Sequence, residues 1–326
     1  MKLIVQKFGG SSVRDAQRLR NVAAIIADTR REGNAVIVVL SAQGDTTDTL
    51  LHKARELSGR PALRELDALL ATGEQASVAL CAILLEEMGL PAVSLSAWQV
   101  GIHTDDEHGD ARIIRIDSDR VLRELDKGKI VLVAGFQGVD RAQDITTLGR
   151  GGSDTTAVAL AAAFHAERCE IYTDVDGVYT SDPRIVPAAV KHEEIDCDEM
   201  LALALHGAQV LHSRSVELAR DHKVDLEVLS SLTRGGGTKV TSQKRMNLPH
   251  LAGVTRDSDT VSVVGTGLML LPGAVEKLYQ VLNDAHITVH EMGQSEQCIY
   301  ARVDETEVLR ALRLAHRTFF ELEQER

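Results

Sequence analysis

The sequence predicts an α/β protein in two parts: a large domain on a mostly parallel sheet, then a smaller α+β domain. Three observations carry that reading. Fully apolar runs such as AVIVVL at 35–40 alternate with amphipathic helical stretches, and strands apolar throughout belong in parallel sheets covered on both faces. Loops rich in glycine and serine close these runs at their carboxyl ends, where open α/β sheets bind ligands. Beyond position 250 the order becomes strand, helix, strand, strand, helix, which suits a small two-layer sandwich.

Residues 2–8 read as a buried strand ended by Gly9-Gly10-Ser11-Ser12. Leu19, Val22, Ala23 and Ile26 form the i, i+3, i+4, i+7 stripe of an amphipathic helix, which Gly33-Asn34 stops before the strand at 35–40. The polar loop SAQGDTTD (41–48) follows, then helical spacing over 48–57, 62–70 and 74–88 and a short strand at 91–96. Residues 99–116 are polar and carry no helical period, so a loop or irregular hairpin is expected. A helix at 119–126 leads to the apolar strand 130–134. The run Gly149-Arg150-Gly151-Gly152-Ser153-Asp154 then opens an alanine-rich helix to Ala166, with Ser153 or Asp154 available as its cap. A strand at 170–175 ends in the acidic turn Asp174-Val175-Asp176-Gly177. Helices at 197–205 and 208–222, a strand at 225–229 and the run Gly235-Gly236-Gly237 follow. The expected division is a large domain at 1–241, a linker at 242–250 and a small domain at 251–326, where 251–255 can supply a fourth strand.

Lys and Arg number 36 against 48 Asp and Glu, a net charge of −12, which argues against a broad footprint for nucleic acid or an anionic membrane. A polyanionic small ligand would then depend on individually placed cations. Cys81, Cys169, Cys197 and Cys298 are scattered singly, without disulfide or metal spacing, and read as buried reduced thiols. The N-terminus is too short and polar for a signal peptide, and no apolar run is read as membrane-spanning, so a cytoplasmic protein is expected.

Several residues could do chemistry. Lys7 precedes Gly9-Gly10, where a backbone without Cβ lets a phosphate approach the N–H groups; a lone lysine leaving a strand is otherwise a surface residue. The loop matches neither G-x-x-x-x-G-K-[ST] nor G-x-G-x-x-G. The glycine run at 149–152 aims helix N–H groups at an anion, and Arg150 within it offers a planar fork for a carboxylate or phosphate. Ser41, Thr47 and Glu74 lie on loops or helix starts and suit a polar substrate, although Ser and Thr after a strand are mostly caps. Asp154 either caps its helix or orients Lys7. Asp174 and Asp176 suit a ribose or metal-bound phosphates, yet Asp-x-Asp-Gly is also common turn chemistry, as is Asp182-Pro183-Arg184 after Tyr179. The histidines show no ligand spacing, and no protein metal site is expected.

Taken together, these strings resemble the aspartate kinases of the amino acid kinase superfamily from Met1 to about Val240. The resemblance rests on KFGGSS (7–12), Ser41-Ala42 with Thr46-Thr47-Asp48, Thr72-Gly73-Glu74, ITTLGRGGSD (145–154) and YTDVDGVY (172–179). It implies the carbamate kinase-like α/β/α sandwich of that superfamily, and transfer of the ATP γ-phosphoryl group to the β-carboxylate of L-aspartate with Mg2+. Lys7 would neutralise the transferred phosphoryl, aided by Gly9, Gly10 and Ser11, and Asp154 would orient Lys7. Arg150 would clamp the α-carboxylate of aspartate, with Ser41, Thr47, Glu74, Gly151, Gly152 and Ser153 completing that site. Thr173, Asp174, Asp176, Tyr179 and Arg184 would line the nucleotide pocket.

Three departures from the family stand out. Position 11 is Ser where Thr is usual. Gln209 and Ser213 fall where many relatives carry lysine or glycine and then proline. The tail has length for one ferredoxin-like ACT module where the family usually carries two, which puts feedback inhibition by lysine or threonine in doubt. The resemblance also implies a homodimer through that module. Other acceptors within the superfamily (N-acetylglutamate, glutamate, uridylate) and a non-catalytic amino-acid-sensing subunit are the competing readings.

Overall fold

The computed structural model describes residues 1–233, 235–244 and 249–321. The chain forms two compact units, 1–176 with 221–237, and 177–220 with 238–326.

The first unit begins with β1 (Leu3–Phe8), α1 (Gly10–Val13) and α2 (Ala16–Arg31). Asp15 caps α2, its carboxylate accepting the Arg18 N–H at 2.9 Å. β2 (Ala35–Leu40) is buried at every residue and leads to α3 (Thr46–Leu57), α4 (Leu63–Leu70), α5 (Thr72–Glu87) and β3 (Ala92–Leu95). Next come α6 (Ala97–Val100), β4 (Ile102–Thr104), β5 (Ile113–Ile116), α7 (Asp119–Asp126) and β6 (Ile130–Ala134). β7 (Gln137–Val139), β8 (Ile145–Thr147), α8 (Gly152–Ala163) and β9 (Arg168–Thr173) complete this run. The chain then enters the second unit with β10 (Glu194–Asp196), α9 (Cys197–Leu205) and α10 (Ser213–His222), and returns to the first with β11 (Leu226–Ser230).

In the first unit the strand order is β11-β9-β1-β2-β6-β3, and every pairing is parallel. β1 is therefore central, with Lys7 in register with Val39 of β2 and Ile171 of β9. One face is covered by α2 and α5, whose Val22, Ile26, Val78 and Leu85 pack on Phe8, Val38 and Leu132. Residues 99–116, expected to form a loop or irregular hairpin, hold the end of α6 and the antiparallel pair β4–β5, whose register shifts at His103/Thr104; β5-β4-β7-β8 form a second, mixed sheet. Three- and four-residue strands are too short to show a period, which is why the pattern hid them.

Two further expectations are corrected. Leu63–Glu87 is one helical stretch long and apolar enough, by length and composition, to cross a membrane. It is a core helix here: Val78, Cys81 and Leu85 are buried in the sheet-facing cluster, and Asp67 and Glu74 are buried with hydrogen-bond partners. The helix expected from 208 begins at Ser213.

The second unit contains β12 (Thr238–Thr241), parallel to β10, and a sheet of β13 (His250–Asp257), β14 (Thr260–Thr266), β15 (Val289–Gln294) and β16 (Cys298–Val303). That sheet is antiparallel in the order β13-β14-β16-β15, backed by α11 (Ala274–Asp284) and α12 (Val308–His316). β14-α11-β15 is a split βαβ with β16 between its strands. β13, the expected fourth strand, occupies the edge beside β14. The expected α+β sandwich is thus present.

The compact units do not divide at 242–250, because 177–220 bonds to the C-terminal sheet. Val254 N–H donates to the Thr180 carbonyl (2.7 Å), His192 Nε2 lies 2.7 Å from the Ala252 carbonyl, and the buried Glu199 carboxylate lies 2.6 Å from His250 Nδ1. A reading by chain continuity cannot see such pairings. Part of the expected linker, 245–248, lies outside the described residues.

Leu278 of α11 is fully buried among Val263, Ile299 and Leu312. Leu278→Ala should cost about 2–5 kcal/mol, read as a lower urea midpoint of the second unit.

Candidate active site

The carboxyl ends of β1, β2 and β9 and the start of α8 gather the predicted residues of the first unit. Lys7 leaves β1 with its Nζ 2.6 Å from Asp154 Oδ1, and both side chains are 12% exposed, so this is a buried ion pair. The Nζ–Oδ1 line is poorly aligned for a hydrogen bond, leaving Oδ1 buried without a directed donor. Neither Ser153 nor Asp154 caps α8, contrary to expectation. Gly151, at φ +69°, is the N-cap, and a left-handed backbone there frees Asp154 to face Lys7. Gly10 is needed for space, since a Cβ on it would lie 2.8 Å from the Ala42 carbonyl oxygen. Gly9 N–H is directed at the Tyr172 carbonyl, 3.4 Å away, which leaves Gly10 the freer donor of the pair.

A cavity of about 630 Å3 opens over these groups, lined by Lys7, Gly9, Gly10, Ser41, Thr47, Glu74 and Gly149 through Asp154. Arg150 is exposed and has no ion-pair partner among the described residues. Glu74, in the first turn of α5, is 3% exposed. Its Oε1 accepts the Ala42 N–H at 3.1 Å, while Oε2 has no partner. Burial pushes the carboxyl up to about 7, against the pull of the hydrogen bonds it accepts from backbone N–H groups. An orphaned carboxyl oxygen and a guanidinium without an ion-pair partner on residues lining one cavity suit a ligand bearing both a cation and a carboxylate.

Sequence reasoning missed two parts of the wall. Asp67 of α4 is 1% exposed and takes three partners: Thr147 Oγ1 at 2.6 Å, His108 Nδ1 at 2.9 Å and Gly109 N–H at 3.0 Å. It thereby ties α4, the 105–110 loop and β8 together just before Arg150. An acid inside an apolar helical run was the available signal. Phe136 lines the cavity with φ +70°, held by its N–H to Thr156 Oγ1 (3.1 Å) and by Leu148 N–H to its carbonyl (2.8 Å). His108, Asp140 and Asp144 also bring one possible ligand atom each within 4.8 Å of one another, a grouping that linear spacing hides. Arg64 already pairs with Asp144 at 2.5 Å, and Asp140 accepts the Asp144 N–H, so the cluster works as a clamp on the β7–β8 turn.

The expected nucleotide residues divide between the units. Thr173 ends β9 and donates to Asp174 Oδ1 (3.1 Å), and Asp176 closes the first unit. Tyr179 and Arg184 lie in the second unit, where Arg184 grips Asp182 through both nitrogens of its fork at 2.9 Å. Ser11 is exposed on α1, and Gln209 is exposed ahead of α10.

Residues 2–230 match the model of the amino acid kinase family. An aspartokinase from Geobacillus stearothermophilus is 50% identical over 291 residues, covering 89% of this chain and 71% of the relative. The chain belongs to the amino acid kinase family, among the aspartokinases. An aspartokinase of Bacillus sp. strain MGA3 is 38% identical over 400 residues, covering 98% of this chain and 97% of the relative. That alignment is longer than the whole chain of 326 residues, so the Bacillus aspartokinase carries a segment that this one lacks. The crystal structure of Escherichia coli aspartokinase III in complex with lysine and aspartate superposes with a TM-score of 0.70 at 29% identity, covering 93% of this chain and 79% of that one.

Glu74 gives a pH signature. In the ligand-free fold it stays protonated up to about 7, whereas unfolded it ionises near 4.5, so the unfolded chain binds fewer protons between those values. The stability contributed by this group therefore falls as pH rises through that window, by on the order of 3 kcal/mol at about 1.4 kcal/mol per pH unit. Comparing urea unfolding at pH 5 and pH 7.5, Glu74→Gln should remove most of that fall; an unchanged slope would show the carboxyl to be ionised in the fold.

Proposed function

We propose that the cleft phosphorylates the β-carboxylate of L-aspartate from ATP, yielding an acyl phosphate and ADP. The observation that carries this is the meeting, in one cavity, of the Lys7–Asp154 pair, the unpaired Arg150 fork and the orphaned Glu74 oxygen. Arg150 holds the α-carboxylate and Glu74 Oε2 accepts from the α-ammonium, with the Ser41 and Thr47 hydroxyls beside them. The β-carboxylate is then the nucleophile: its oxygen bonds to the γ-phosphorus as the bond to the β,γ-bridging oxygen breaks, and no covalent enzyme intermediate is needed. Lys7 Nζ offsets the charge on the transferring phosphoryl, with the Gly10 N–H and the Ser153 and Asp154 N–H groups of α8 as fixed donors. Asp154 keeps the ammonium in place. Thr173, Asp174 and Asp176 take the nucleotide at the end of β9; for Tyr179 and Arg184 the nucleotide role is only what the resemblance implies.

Asp174, an exposed carboxylate at the end of β9, is the group that would hold Mg2+, which would neutralise phosphate charge, while Asp154 stays paired with Lys7. The four buried free thiols suit a reducing compartment, the cytoplasm.

We retain 1–241 as the catalytic domain, 242–250 as its linker and 251–326 as a single ACT-like domain. The family match ending at 230 supports the end of the catalytic domain, and the compact units, which join 177–220 to the C-terminal sheet, do not follow that division. The edge strand β15 offers a pairing edge for a homodimer. N-acetylglutamate and glutamate kinases are the runner-up reading within the fold, and a non-catalytic subunit is disfavoured because Lys7, Arg150 and Asp154 are all in place.

Trapping the acyl phosphate with hydroxylamine tests the reaction. Aspartate-dependent hydroxamate should form with MgATP and fall by roughly 10^2–10^3 or more in Lys7→Ala, while Arg150→Ala should raise KM for aspartate far more than KM for ATP. Hydroxamate formed from N-acetylglutamate or glutamate but not from aspartate would replace this reading. With one ACT-like domain present, saturating lysine plus threonine should leave the rate unchanged; strong inhibition would show that an effector site survives.

A further inference from the structure

We propose that Ser231 is a positioning residue for the nucleotide half of the reaction, its hydroxyl stapling the phosphate loop to the acidic turn. The inference rests on the nucleotide reading above. Ser12, in α1 directly behind Gly9-Gly10, is 1% exposed, and its Oγ lies 2.7 Å from Ser231 Oγ. Ser231, 7% exposed, is the first residue beyond β11, and both its N–H (2.9 Å) and its Oγ (3.2 Å) donate to the Thr173 carbonyl. A serine hydroxyl carries one hydrogen. With that hydrogen given to Thr173, Ser12 must be the donor to Ser231, so the relay runs Ser12 to Ser231 to the Thr173 carbonyl.

The position of this relay matters because the strand ladders end just short of it. β1 pairs with β9 as far as Phe8 with Tyr172, and β11 pairs with β9 as far as Ser230 with Thr173. Past those residues the three chain ends diverge into the loops that would grip phosphate and ribose. The direct backbone tie between the first two is Gly9 N–H to the Tyr172 carbonyl, at 3.4 Å the longer and weaker link. The hydroxyl relay therefore sets the spacing between Gly9-Gly10 and Thr173-Asp174, and a nucleotide must touch both at once. Aspartate is gripped from Arg150 and Glu74, which the relay does not touch.

The test is steady-state kinetics with MgATP and aspartate varied separately, together with calorimetric binding of MgADP, on wild type, Ser231→Ala, Ser231→Thr, Ser12→Ala and the double alanine variant. Ser231→Ala should raise KM for MgATP and Kd for MgADP about tenfold, the usual scale for stranding a buried donor, with KM for aspartate unchanged. Ser231→Thr should restore both. Ser12→Ala should resemble Ser231→Ala, and the double variant should be no worse than either single one, because the two hydroxyls act as one link. Parallel rises in both KM values, an unchanged MgADP affinity, or additive single effects would each overturn the proposal while leaving the site reading intact. A wild type that binds no MgADP would overturn both.

Discussion

The Lys7–Asp154 ion pair is the constraint around which the large unit is arranged. Two opposite charges held 2.6 Å apart and nearly buried are tolerable only while both are present, because removing either leaves an uncompensated charge in a low-dielectric cleft. To meet, they need β1 at the centre of a parallel sheet and a helix whose third residue points back at the strand end. The glycines serve that approach. Gly151 takes the left-handed N-cap conformation, and Gly10 leaves room for the Ala42 carbonyl where any side chain would collide.

The cleft's walls are fixed by a different device, buried side chains that bond to loops. Asp67 accepts from Thr147 of β8 and from the Gly109 backbone and lies 2.9 Å from His108 Nδ1, so it ties β8, just before Arg150, to the 105–110 loop. Phe136 is held in a left-handed backbone conformation by bonds at both its N–H and its carbonyl. Such strain persists only where the surroundings over-determine it, and here it shapes the cavity's lining.

The core of this arrangement was legible in the sequence because it is local. An all-apolar run predicts a parallel strand, and a glycine run before an alanine-rich stretch predicts a helix start; β2 and α8 are where those local patterns put them. What was not legible depends on residues far apart in the chain. Asp67 and His108 are 41 positions apart, and nothing near either announces the other. β4, β5, β7 and β8 are too short to print a period. The membrane-length helix shows the converse: α4 and α5 join into one apolar stretch, and only its buried acids and sheet-facing packing identify it as core. The capping role offered to Asp154 failed for a similar reason, since local propensity cannot weigh a partner 147 residues away. The role won by Lys7 is electrostatic and tertiary.

Charge explains how an acidic chain of net −12 can attract anions to one place. Burial pushes the Glu74 carboxyl up to about 7, and its Oε2 has no hydrogen-bond partner among the described residues. The cavity wall presents Lys7 and Arg150 among the carboxylates of Asp48, Asp67 and Asp154, so an anion there depends on two individually placed cations rather than on a net positive patch. In the proposed complex an α-ammonium would reverse the balance at Glu74 by supplying the missing donor and a charge, and so would favour the carboxylate. A dicarboxylate without that ammonium leaves Glu74 either protonated or ionised and unpaired, and gains nothing from it. On the proposed reading, discrimination for an amino acid would follow from a carboxyl group left without a hydrogen bond, a feature that in any other part of the core would only cost stability.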